Sequence, residues 1–459
     1  MNNLINQTSQ NLIFEEIFRD ITNILQVDMV WNNIVALSGA AGTGKTYLTT
    51  QLVKELSKKY KITVTAPTHK ALKVLRKNLS YNHTLNVSTK TIHAFLNIKL
   101  MVDYDKGIQK FVPDKTKLDQ SSADILIVDE SSMVSKELYE YILDAVTSDR
   151  VKSVLFVGDY YQLLPIDSNK NFVSDIRIQY ELKDIVRQAK DSYIIQIATK
   201  LREIIQNQEY ISIQDFFTKN NTSQIEFFNT KEDFYNDFCK NENWFNEDKI
   251  ITSFRNSDVD FHNNVIRKRF WNEKHILSPE QYISGDRIVF QDSNVRNGMI
   301  LHHNSDDVII SNAEKKYSEY LDMYYWECRD ANNLDFRIID KNSLFKFNEF
   351  MKKLADKAKK EFDKEKRALL WENFFELREY FVDVKYSFAS TIHKLQGSTY
   401  ETVYIDLMSL SYIDKLDKDT LFRLMYVAIT RASKNIKILI PQLKEKTLDD
   451  IFLKFLDKN

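Results

Sequence analysis

The octapeptide Gly39-Ala40-Ala41-Gly42-Thr43-Gly44-Lys45-Thr46 fills every fixed position of the pattern G-x-x-x-x-G-K-[ST]. Such a loop belongs between a buried strand and the start of a helix, so it constrains the fold before any other feature does. Its glycines let backbone N–H groups turn inward around a β-phosphate, where a side chain would obstruct the approach. Lys45 then reaches the β- and γ-phosphates. The Thr46 hydroxyl is placed to ligate Mg²⁺ at a helix start whose dipole favours anions. The flanks agree: Ile34-Val35-Ala36-Leu37 reads as a short buried strand, and Leu48, Leu52, Val53, Leu56 and Tyr60 follow at helical spacing. Strand, loop and helix together predict a nucleoside triphosphate site lined by Gly39, Ala41, Gly42, Thr43, Gly44, Lys45 and Thr46.

Further β-branched runs recur between amphipathic segments, at 61–66, 125–129, 154–159, 250–254, 403–407 and 436–440. Buried parallel strands read this way, and their alternation with helices predicts an α/β fold. The 459 residues suffice for two such sheets, and only 8 Gly and 5 Pro leave little room for linkers. A net charge of −1 neither supports nor excludes a polyanionic partner, so any such contact must be a local groove. Cys239 and Cys328 have no CxxC spacing, which argues against a zinc module or a disulfide framework and fits a reducing cytoplasm. No stretch approaches 18 apolar residues and the N-terminus is polar, then acidic, so neither a membrane span nor a signal peptide is expected.

Two insertions interrupt the alternation. Residues 99–120 form a polar, alternating segment with a turn signal at Asp105 to Gly107, which predicts a hairpin. From Asn342 to Phe381 the chain is lysine-rich, with Phe347, Met351, Leu354, Ala358 and Phe362 near helical spacing, which predicts a long amphipathic helix or a helical pair. Surface decoration with a solvated charged face is the alternative for both.

The run Leu126-Ile127-Val128-Asp129-Glu130 ends an apolar strand in adjacent carboxylates. Asp129 suits the water shell of a Mg²⁺ ion, and Glu130 is the better general base toward an attacking water. Next comes Gly158-Asp159-Tyr160-Tyr161-Gln162-Leu163-Leu164-Pro165. With Thr65 to Ala71, Thr91 to Leu96, Arg187-Gln188, Asn256 to Arg267, Thr391 to Ser398 and Tyr426 to Ala432, it completes an ordered series of motifs over nearly the whole chain. In that order the chain resembles the superfamily 1 helicases of the RecD-like branch.

The resemblance implies two RecA-like domains with parallel sheets. Residues 1–98 and 121–185 would form the ATP-binding domain, with 99–120 as a strand-separating pin. Residues 186–280 and 386–459 would form the second, and 281–385 an accessory β-barrel carrying a helical tower at about 342–381. Lys45, Glu130, Gln162, Arg187 and Arg431 would be catalytic, with Gln162 sensing the γ-phosphate and the two arginines presented by the second domain. Thr46 and Asp129 would serve the metal. Gln396 and Gly397 would approach the nucleotide, and Gln10, with Gln7 as a nearby competitor, would read adenine. Pro67, Thr68, His69, His93, Phe95, Asn256, Thr391 and His393 would contact the nucleic acid. Phe95 fits base stacking or the core equally. Val259 and Asn263 are expected in packing. Leu164 stands where a proline is often seen, and Tyr160-Tyr161 is bulkier than usual; neither removes a catalytic atom.

The implied activity is ATP- and Mg²⁺-dependent unwinding of DNA with 5′ to 3′ travel. Single-stranded DNA and duplex junctions are the partners, with a single-strand-binding or replication and recombination protein beside them, and no membrane. A monomer is expected. The same residues also suit an RNA helicase, or an ATP-driven switch that loads or remodels a partner. The Asn- and Lys-rich composition points to an AT-rich genome and the compact size to a phage enzyme, which would act in the host cytoplasm.

Overall fold

The structure is a computed structural model that describes residues 2–26, 33–79, 86–103, 108–114, 121–165, 172–184, 192–220, 225–296, 299–410 and 417–440. Its first part contains strands β1 (Ile34–Gly39), β2 (Ile62–Ala66) and β3 (Val87–Thr91), then β4 (Ile98–Asp103) and β5 (Ile108–Pro113), then β6 (Ala123–Val128), β7 (Val151–Gly158) and β8 (Ile178–Leu182). Six of these form one parallel sheet in the order β3-β2-β6-β7-β1-β8. Helices cover both faces, which is why β2 is buried at every residue and reads as a continuous apolar or β-branched run. The helix Lys45–Leu56 buries Leu48, Leu52, Val53 and Leu56, the spacing expected from the sequence.

The second part adds β9 (Ile225–Phe228) and β10 (Lys249–Ser253), then β11 (Arg287–Phe290), β12 (Asn294–Arg296), β13 (Met299–His302), β14 (Asp307–Ser318), β15 (Met323–Asp330), β16 (Asp335–Ile339) and β17 (Val384–Tyr386). It closes with β18 (Ala389–Thr391), β19 (Tyr400–Asp406) and β20 (Ala432–Leu439). A second parallel sheet has the order β18-β10-β19-β20-β9. The chain is thus α/β with two parallel sheets, as its strand patterning indicates.

Between them lies an antiparallel sheet in the order β16-β15-β14-β11-β17. It curls until the Val382 N–H donates to the Arg337 carbonyl at 2.8 Å, joining the two edges. The lysine-rich segment resolves into two helices, Leu344–Lys360 and Lys364–Tyr380. Asp363 breaks the chain between them and caps the second, accepting from the Lys366 N–H at 2.9 Å. Ala358, Trp371 and Phe375 pack the pair together, and Phe347, Phe350 and Leu377 seat its base on Met323 and Ile339 of the sheet. Strands β4 and β5 pair antiparallel from Ile98↔Pro113 to Asp103↔Ile108. The expected hairpin turn at 105–107 lies outside the described residues.

Candidate active site

In a parallel sheet every strand delivers its carboxyl end to the same edge, where ligands bind. Strands β6, β7 and β1 are neighbours. They hand the chain to Asp129-Glu130, to the segment from Gly158 to Gln162 and to the Gly39–Thr46 loop, so three motifs distant in sequence meet side by side.

Gly44 has φ +85°, left-handed backbone that disfavours a side chain, and Lys45 begins the helix immediately after it. The Lys45 ammonium donates to the loop's own carbonyls, Gly39 and Ala40, the latter at 2.9 Å. Thr43 turns inward, its hydroxyl donating to Ala40 at 2.9 Å. The amide of Gln10 donates to the Thr43 carbonyl at 2.8 Å, so the N-terminal helix Asn2–Gln26 delivers this residue to the loop. The side chain of Gln7 lies outside the described residues.

The loop forms one wall of a cleft of about 380 Å³. Ala41, Gly42, Gly44, Lys45, Thr46, Asp129, Glu130 and Gln162 line it from the first part; Gly397, Thr399 and Arg431 line it from the second. Gly397, at φ +72°, allows a close approach, since a Cβ there would lie 3.1 Å from the Cβ of Ala71. Gln396 is buried and outside the lining. Arg431 is buried and donates to the Val427 and Ser398 carbonyls, both at 3.3 Å, and to the Thr430 hydroxyl at 3.2 Å. Gln162 is 6 % exposed and its side-chain amide oxygen, Oε1, has no partner among the described residues. Arg187 lies outside the described residues.

Loss of solvent around the Asp129 carboxyl, reinforced by the charge of Glu130, pushes its pKa up to about 7. A divalent cation would relieve that cost. Mg²⁺ takes oxygen donors and keeps several waters, and Thr46 and Asp129 offer a hydroxyl and a carboxyl in the same cleft. Among the described residues no group of three or more His, Cys, Asp or Glu makes a protein cage. This donor set suits an ion shared with phosphate oxygens and water.

The strand ends beyond β6 carry the other sequence-predicted residues. At the end of β2, Pro67 and Thr68 are half-buried, and the Thr68 hydroxyl accepts from the Ala71 N–H at 3.2 Å, capping the helix His69–Leu79. The exposed His69 ring stacks on His303 of the antiparallel region, centroids 3.7 Å apart. Burial, then the His303 charge, lowers its pKa. Lys70 reaches across to the Tyr400 hydroxyl at 2.8 Å. His93, past the end of β3, is half-buried, and burial lowers its pKa too.

Phe95 corrects an expectation. It is fully buried in the first core, with Ile92, Leu126 and Phe156, and so has no face to offer a base. An aromatic at i+3 from a buried isoleucine on a one-turn helix points into the sheet, not out of it. Phe95→Ala should therefore cost about 3–5 kcal/mol of stability, read as a lower denaturant midpoint.

In the second sheet β18 and β10 are adjacent, with Ser253 opposite Thr391. This register sets Asn256, at the start of the helix Asn256–Glu273, beside Thr391. The two share a pocket with Lys70, Lys385 and Lys394, and sequence reasoning had passed over these three cations. Lys70 and Lys394 lie within motifs already quoted, which was the available signal. Burial and the nearby Lys385 lower the Lys394 pKa, an environment that an anion would relieve. His393 is half-buried, 5.9 Å from the Phe254 ring, and burial lowers its pKa.

Asn263 is fully buried, as expected of packing, and does more than fill space. Its carbonyl oxygen accepts from the Phe388 and Ala389 N–H groups at 2.9 and 2.8 Å, anchoring the strand that ends in Thr391. Asn263→Ala leaves both donors buried and unpaired. It should lower stability by about 1–3 kcal/mol per orphaned group, measured by thermal or denaturant unfolding. Arg267 grips Asp286 through two 2.7 Å bonds and tethers the antiparallel sheet to this helix.

Comparison with known proteins bears on this geometry. Residues 26–214 match the family described as AAA domain, and residues 386–438 match the UvrD-like helicase C-terminal domain. The chain is 27% identical to the ATP-dependent DNA helicase dda of Enterobacteria phage T4 over 434 residues, covering 86% of this chain and 92% of that one. An uncharacterized protein of Acanthamoeba polyphaga mimivirus is 24% identical over 490 residues, covering 89% and 96%. The RecBCD enzyme subunit RecD of Buchnera aphidicola is 30% identical over 226 residues, 47% of this chain and 35% of that subunit. The matches run through both walls of the cleft, and the chain is a superfamily 1 helicase ATPase of the RecD-like branch, related to Dda.

Proposed function

We propose that this chain is an ATP-dependent DNA helicase that moves along single-stranded DNA, 5′ to 3′, and separates duplex ahead of it. The observation that carries the reading is the cleft: Lys45, Glu130 and Gln162 come from one parallel sheet, and Arg431 and Gly397 from the other. A site assembled from two bodies is complete only when they close, so each cycle of hydrolysis converts into movement.

In this reading Gln10 reads the adenine, and Lys45 and the loop amides bind its phosphates. Thr46 and Asp129 would hold Mg²⁺, which when bound would supply charge neutralisation for the triphosphate. Glu130 takes the proton of the attacking water, Gln162 contacts the γ-phosphate, and the planar guanidinium of Arg431 stabilises charge on the equatorial oxygens. Arg187 would supply a second guanidinium.

Thr68 and His69 on the first sheet, and Asn256, Thr391 and His393 on the second, face the strand. Hydroxyl, amide and lysine groups there suit phosphates more than base edges, so binding would be independent of sequence. The β4–β5 hairpin would part the duplex, with the helical pair bracing it. ATP hydrolysis measured with single-stranded DNA and with RNA oligonucleotides tests the substrate. DNA should stimulate the rate strongly; equal or greater stimulation by RNA would move the reading to an RNA helicase, and stimulation by neither would end it.

A further inference from the structure

The segment from Asp159 to Leu163 follows β7 of the first sheet, where Tyr160 packs against the first part's core, yet several of its other contacts are with the second part. The Arg423 guanidinium, on the helix Lys418–Thr430, donates to the Tyr160 carbonyl at 2.9 Å and the Gln162 carbonyl at 3.0 Å. Asp419, one turn earlier, holds Arg423 in place at 2.7 Å. One turn later, the Tyr426 hydroxyl donates to the Asp159 carboxylate and accepts from the Ala41 N–H of the phosphate loop at 3.4 Å. Asp159 and Tyr426 are each only 1 % exposed. Leu163 is buried in the hydrophobic core of the second part, and Tyr161 packs against that core beneath the Arg202 guanidinium, 4.7 Å from its ring.

We infer that Arg423 and Tyr426 are positioning residues that fasten the Gln162 segment to the second part, so that Gln162 and Arg431 approach the triphosphate as one unit. Residues three apart on a helix share a face, so one helix grips the segment twice and then ends at Arg431. The segment's backbone, one buried carboxylate and one apolar side chain are all held by the second part. Opening the cleft must either break these bonds or draw Gln162 away from Lys45; the buried Tyr426–Asp159 bond, the two half-buried Arg423 bonds and the Leu163 packing favour the second. Tyr426 touches no phosphate in this scheme and acts through the segment.

The inference rests on the cleft being an ATP-hydrolysing site, and the test keeps the two apart. Tyr426→Phe removes one hydroxyl and keeps the ring in the core. DNA-stimulated kcat should fall about tenfold, the size of one net hydrogen bond at the transition state, with KM for ATP within about twofold. Arg423→Gln carries the same expectation should Tyr426→Phe not fold. In the Gln162→Ala background either substitution should add little, since its effect passes through Gln162. Additive losses, or wild-type kcat in both single variants, overturn the inference. Undiminished hydrolysis by Lys45→Ala would instead overturn the reading of the cleft.

Discussion

Arg431→Ala should lower DNA-stimulated ATP hydrolysis by about 10³-fold or more, the range found when a transition-state arginine is removed from a phosphoryl-transfer site. The guanidinium lies on the wall opposite the phosphate loop and is buried, held by the Val427 and Ser398 carbonyls and the Thr430 hydroxyl. These neutral partners fix its orientation without neutralising it. Nucleotide binding to the first wall should therefore survive, and affinity for a fluorescent ATP analogue should change only a few-fold. Arg431→Lys should rescue little, because an ammonium cannot reproduce the planar fork that matches equatorial oxygens. A loss of binding equal to the loss of rate would show that Arg431 serves the ground state alone.

Lys45→Ala should reduce hydrolysis by about 10²–10³-fold, comparable to deleting a preorganised donor at a developing charge. Here binding should weaken as well, since Lys45 belongs to the wall that holds the phosphates in the ground state. Folding should be unaffected: the residue opens the helix Lys45–Leu56, alanine favours helix, and the apolar face from Leu48 to Leu56 is untouched. The pair of variants separates the two walls, one losing rate with affinity kept and the other losing both. Steady-state kinetics beside equilibrium nucleotide binding checks this directly.

What the residues disclose in advance follows from how local each feature is. The phosphate loop is legible because its backbone path depends on glycines within eight residues, and the central parallel strands because burial on both faces leaves an apolar or β-branched run; the edge strands β3 and β8, more polar and largely half-buried, carry no such run. The carboxylates at 129–130 were legible as chemistry, but not the backbone of Glu130, which takes φ +50° at the turn after β6. Phe95 was open between core and base contact, because a lone aromatic after a strand carries no sign of which way its helix turns. The grip of Arg423 and Tyr426 could not be read at all. It joins residues more than 260 positions apart, Arg423 through backbone carbonyls that carry no side-chain signature and Tyr426 through the Asp159 carboxylate. Asn263 shows an intermediate case: packing is what its motif implies, whereas its double bond to the strand leading into Thr391 depends on the tertiary placement of β18.

The central claim is that closing this two-walled cleft drives strand separation. Displacement of a labelled strand from 5′-tailed and 3′-tailed DNA duplexes, with ATP and Mg²⁺ and with Lys45→Ala as control, tests it most directly. The account predicts ATP-dependent displacement from the 5′-tailed duplex, little from the 3′-tailed one, and none by the variant. Brisk ATP hydrolysis without displacement from either duplex would contradict it.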